Sequence, residues 1–200
     1  YTEFYDNTVK IMSSTDLEAF SIADEPDDLR EKYGRNKFGQ GCLLARRLVE
    51  KGIRCIEVAS SGWDMHNDIE GALEDRGAEM DQGLAALLDD LGQRGLLDST
   101  MVVLCSEFGR GPKINSNGGR DHHPKVFSTL LAGGGIKGGF VYGASDKGGF
   151  EVADKGVTVQ DFLSTIGWGM GLPVDEVVMS PSNRPFTVGD KGKALLDLFA

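Results

Sequence analysis

Apolar positions along the chain follow two different periods, one helical and one extended, and the order in which they alternate predicts the architecture. Leu73, Met80, Leu84, Leu87, Leu88 and Leu91 recur at helical spacing, so residues 69–91 are expected to form an amphipathic helix. Further helices are expected over residues 38–51, stopped by Gly52, and over residues 158–170, capped by Thr158. Phe4, Val9, Met12, Leu17 and Phe20 predict a helix over residues 1–20, ended by the acidic loop Asp24-Glu25-Pro26-Asp27-Asp28, and residues 191–199 predict a short terminal helix. A nearly unbroken apolar run at residues 101–106 reads as a buried strand, and residues 53–59 and the apolar run 126–132 read as two more, with Phe140-Val141-Tyr142 as a short additional one. Helices alternating with strands predict a three-layer α/β/α sandwich around a mostly parallel sheet, with residues 1–200 as a single domain.

Composition narrows the chemistry. Of 200 residues, 40% are hydrophobic and the net charge is -10, which repels a phosphate backbone; no local basic patch offsets it, so nucleic acid is not expected as a partner. No apolar run approaches the roughly 20 residues of a membrane-spanning helix. Cys42, Cys55 and Cys105 lack metal-type spacing, and two sit in apolar runs, so all are expected to be buried thiols. The glycine-rich segment Gly133-Gly134-Gly135-Ile136-Lys137-Gly138-Gly139 follows a predicted strand, but Phe-Val-Tyr-Gly comes after it rather than a helix. It therefore reads as a tight connection, not a phosphate cradle.

The candidate chemistry lies in glycine-bounded segments. Gly119-Arg120-Asp121-His122-His123-Pro124 holds two of the three histidines, and Gly62-Trp63-Asp64-Met65-His66-Asn67-Asp68 holds the third. Imidazole beside carboxylate suits a borderline divalent ion, zinc or manganese, with calcium as the further candidate cofactor. The apolar run at 101–106 spills into Glu107-Phe108-Gly109-Arg110-Gly111. If the runs at 53 and 101 are strands of one sheet, Asp64, His66 and Glu107 arrive at the same strand edge, covered by the loop bearing Asp121 and His122.

Several segments resemble a bacterial family, domain of unknown function 1501. They are Arg46-Arg47-Leu48 before a predicted strand, Gly62-Trp63-Asp64-x-His66, Ser106-Glu107-Phe108-Gly109-Arg110, Gly119-Arg120-Asp121-His122 and the glycine run at 133–139. The likeness runs from about Phe38 to the end and implies a branch of the alkaline phosphatase and sulfatase superfamily. On that resemblance, Asp64, His66 and His122 would hold one metal ion and Glu107 would serve a second. Asp121 would join the ligands, while Arg110, Arg120 and His123 would line the substrate site. Phe108 stands where the second ion's histidine is expected, which leaves one ion or a second site assisted by Arg110. The chain resembles the carboxy-terminal half of a longer member, so the alkaline phosphatase-like fold is expected to be incomplete at its amino-terminal side, with the nucleophile outside it. The family also implies a periplasmic or otherwise exported location.

Two functions follow as expectations. The first is a metal-dependent hydrolase of phosphate or sulfate esters, acting on an anionic ester substrate. The second is a non-catalytic, metal-stabilised module for export or surface assembly. The sequence leaves the oligomeric state open.

Overall fold

A computed structural model describes residues 2–200, with the backbone alone for Thr2, Glu3, Asn7 and Ile11. The chain divides into two compact units: residues 1–96 with 117–119, and residues 97–116 with 120–200.

The first unit is helical. It contains α1 (Thr2–Met12), 3-10 turns at Thr15–Phe20 and Ile22–Asp24, α2 (Asp27–Tyr33), α3 (Lys37–Glu50) and α4 (Ile69–Gln93). Asn36 caps α3 by accepting from the Gly39 amide at 2.8 Å, and Gly52, at φ 77°, lets the chain leave the helix. α3 and α4 pack on one another at a glycine contact. A Cβ at Gly83 would lie 2.9 Å from the Phe38 ring and 3.1 Å from the Gly39 Cα, and one at Gly39 would lie 1.9 Å from the carbonyl oxygen of Tyr33 in α2. Tyr33, Cys42, Leu43, Ala45, Ala86, Leu87 and Leu91 fill the core between α2, α3 and α4. The helices expected over 38–51 and 69–91 are present. The one expected over 1–20 divides into α1 and a 3-10 turn, and its Phe4, Val9, Met12, Leu17 and Phe20 are exposed.

The same core holds an ionic cluster that the apolar pattern did not announce. Arg46 is 2% exposed and lies 2.8 Å from Glu25, 2.7 Å from Glu50 and 3.0 Å from Asp90. Arg47 shares Glu25; Arg94 joins Glu50 at 2.6 Å and Asp90 at 2.7 Å. The buried Tyr33 hydroxyl donates to Asp90 at 2.9 Å. Nε and Nη2 of Arg46 meet their carboxylates off axis, so Coulomb attraction rather than a directed hydrogen bond carries those two contacts.

The second unit is built from short strands: β1 (Val102–Leu104), β2 (Gly109–Arg110), β3 (His122–His123), β4 (Leu130–Ala132), β5 (Ala144–Ser145), β6 (Val152–Asp154), then α5 (Val159–Gly169), β7 (Val178–Met179) and β8 (Pro185–Phe186). They pair as β1 with β4, β2 with β3, β5 with β6 and β7 with β8, every pair antiparallel. α5 begins as expected: Thr158 accepts from the Asp161 amide at 3.1 Å while the Asp161 carboxylate takes the Thr158 amide, a reciprocal cap. The expected terminal helix shortens to a 3-10 turn at Leu196–Leu198.

These elements overturn the three-layer α/β/α sandwich. The chain is 41% helical, and its described strands form only two-stranded antiparallel sheets. Residues 53–59 form no strand; most of their positions are exposed, and among the described residues no ladder partner lies beside them. Of residues 126–132 only the last three form a strand, with Val102 opposite Ala132. A parallel pair needs a crossover, usually a helix. Between β1 and β4 the chain instead folds into the β2–β3 hairpin, which sends it back antiparallel. An apolar run permits a strand, but fixes neither its burial nor the direction of the strand beside it. Among the described residues no helix is long and apolar enough to cross a membrane.

Candidate metal centre and anion cleft

In the first unit, Asp64 and His66 come from an extended segment rather than from the end of a strand. The Met65 amide donates to the Trp63 carbonyl at 2.9 Å and the His66 amide to that of Asp64 at 3.0 Å, turning both side chains together. Met65 is buried and anchors this turn. Asp64 Oδ1 and His66 Nε2 lie 3.1 Å apart. Trp63 is tied back by an indole N–H donated to Ser60 Oγ at 2.9 Å. Residues 117–119 brace the segment from behind. Gly118 bridges Asn67, and the Asp68 and Ile69 amides donate to the Asn117 and Gly118 carbonyls at 3.2 and 3.0 Å. A Cβ at Gly119 would fall 2.0 Å from the His66 carbonyl carbon, so only glycine lets the two backbones meet there.

In the second unit, the β2–β3 hairpin sets Arg110 opposite His122 and Gly109 opposite His123. The Gly111 amide donates to the Asp121 carbonyl at 2.8 Å, and Asn115 donates its amide to Asp121 Oδ1 at 3.1 Å. The His122 ring stacks on Phe108, with centroids 4.3 Å apart. His123 turns the other way: one ring nitrogen meets the Phe150 carbonyl oxygen at 3.0 Å, and the ring sits edge-on to Phe150. The alternation of neighbouring side chains across a strand separates the two imidazoles. Glu107 is exposed and held below the usual carboxylate range, first by its own backbone N–H, then by the Ser106 hydroxyl at 3.0 Å and by the nearby Arg110 and His122.

Beside this hairpin opens a cleft of about 400 Å³ lined by Ser106, Phe108, Arg110, Arg120, Phe127 and Ser128, among others. Arg110 donates to the Arg120 carbonyl at 3.1 Å, and Arg120 donates to that of Gly111 at 3.2 Å, so the two cations are pinned by main-chain oxygens.

Of the residues singled out from sequence, Asp64 and His66 come together in the first unit. Glu107, Arg110, Arg120, Asp121 and His122 gather along one hairpin in the second, while His123 is drawn towards Phe150. Ser106, Asn115 and Phe127 were given no role by the sequence reading. Only Ser106 carried a signal, its position next to Glu107. The thiols also depart from expectation: Cys42 is buried, but Cys55 and Cys105 are exposed, because their runs are not packed between layers.

Each compact unit thus carries an imidazole–carboxylate cluster, and the second also an arginine-lined cleft. The chain belongs to the family described as Protein of unknown function (DUF1501), whose profile matches residues 1–199, well upstream of Phe38 where the sequence motifs begin. No curated protein and no solved structure matches the chain.

Proposed function

We propose that the protein is a metal-dependent hydrolase of phosphate or sulfate esters, with Asp64, His66, Glu107, Asp121 and His122 as the source of metal ligands. The observation that carries this reading is the Asp64–His66 pair. Two donor atoms bound to one transition ion at about 2.0–2.2 Å sit roughly 3 to 3.5 Å from each other, and Asp64 Oδ1 and His66 Nε2 stand 3.1 Å apart. A Glu107 carboxylate kept ionised suits a ligand better than a general base.

A divalent ion so held would polarise the ester oxygen and favour the attacking hydroxyl or water. Arg110 and Arg120 would bind the anionic group and offset charge developing on its oxygens. His123, fixed by the Phe150 carbonyl, would orient substrate rather than bind metal. The reading rests on the donor set and the cleft, not on the parallel sheet of the alkaline phosphatase and sulfatase superfamily, which the described residues lack.

The test is a panel of phosphate and sulfate monoesters assayed with added zinc, manganese or calcium. Turnover abolished by chelation supports the hydrolase. Metal binding with no turnover of any ester refutes it and leaves the non-catalytic, metal-stabilised module.

A further inference from the structure

We infer that the cleft of the second unit selects esters of a flat, apolar alcohol, that is, aryl phosphates or aryl sulfates; this rests on the ester reading above and names the substrate class of the same cleft. The cleft offers two unlike surfaces. One is cationic. Arg120 is half-buried, its guanidinium meets only the Gly111 carbonyl oxygen, and among the described residues no carboxylate pairs with it. A partly desolvated guanidinium without a counter-charge gains from an arriving oxyanion, which it can bind through paired N–H groups.

The other surface is aromatic and aliphatic: Phe108, Phe127, Val126 and Pro112. Phe127 is 39% exposed, a large apolar side chain left at the rim of the cleft. Its place is fixed by backbone contact, since a Cβ at Gly109 would lie 2.2 Å from the Val126 carbonyl oxygen and 2.9 Å from the Phe127 Cβ. Phe108 is fixed by its stack against His122. Ser106 and Ser128 also line the cleft, but the faces of Phe108 and Phe127 cannot hydrogen-bond the hydroxyls of a sugar or polyol. A planar ring covers apolar surface and stacks. A volume of about 400 Å³ lies within the usual range for small organic ligands.

The test compares 2-naphthyl phosphate with methyl phosphate, probes of like charge, by calorimetric titration of the whole chain in the presence of chelator. Naphthyl phosphate is expected to bind about tenfold tighter or more, the factor that ring stacking and burial supply. Phe127→Ala should collapse that ratio, whereas Phe127→Leu should restore part of it. Arg120→Gln should weaken both probes and leave the ratio standing. Equal affinities, no detectable binding of either probe, or a ratio unchanged in Phe127→Ala each overturn the inference. Metal-dependent turnover without naphthyl preference would sink this inference and leave the hydrolase intact. The binding preference without turnover under any metal would do the reverse.

Discussion

Replacing Arg46 by Met removes the hub of the ionic cluster while keeping most of the side-chain volume. Breaking a buried ion pair by deleting one partner costs about 3–5 kcal/mol, because the remaining charge stays desolvated. Here the low end applies, about 3 kcal/mol by that rule. Glu25 retains Arg47, while Glu50 and Asp90 retain Arg94, and two of the three Arg46 contacts, those with Glu25 and Asp90, run off the hydrogen-bond axis. With a urea slope of about 2 kcal/mol per molar, the midpoint should fall by about 1.5 M, followed by far-ultraviolet circular dichroism, which reads the helices of the first unit. Tyr33→Phe supplies the scale. It removes one neutral donor from Asp90 and should cost about 1 kcal/mol. Acid adds a second readout. Burial raises the Glu25 carboxyl, but the hydrogen bond from Arg47 and the charges of Arg46 and Arg47 outweigh it and hold it below its ordinary 4.5. Its contribution is therefore complete above pH 4.5 and lost as the pH falls through the folded value, and Arg46→Met should flatten that acid-side loss. A midpoint that moves less in Arg46→Met than in Tyr33→Phe would refute the reasoning and make the cluster one that apolar residues could replace without loss.

Gly119→Ala should unseat the backbone contact with His66, lowering stability by about 1–3 kcal/mol and weakening metal affinity; unaltered metal titration would count against the brace. His122→Ala should abolish most metal affinity, whereas His123→Ala, already committed to the Phe150 carbonyl, should retain it and alter turnover, and equal losses would show the imidazoles wrongly assigned. In a native thiol titration Cys55 and Cys105 should react and Cys42 should not, since burial pushes the Cys42 thiol up to about 12. Modification of all three thiols without denaturant would contradict the packing of α3.

Local signals were legible wherever a short stretch of chain contains its own physics. The period of Leu84, Leu87 and Leu91 marks α4; Thr158 and Asp161 mark the start of α5; and the crowding of His, Asp and Arg between glycines marks the two candidate clusters. Pairing was not legible. Residues 53–59 read as a strand, yet a strand exists only with a partner, and among the described residues none lies beside them; residues 130–132 found theirs running the opposite way because the β2–β3 hairpin, not a helix, connects them to β1. Nor could a sequence show that Arg46, one charge among many in an acidic chain, would be sealed between α2, α3 and α4, or that Phe127 would stand exposed beside Arg120. Capping, periodicity and residue chemistry act over a few neighbouring residues and are fixed by the sequence alone. Strand partners, buried charge and the walls of a cleft join residues far apart in the chain, and only the tertiary structure decides them.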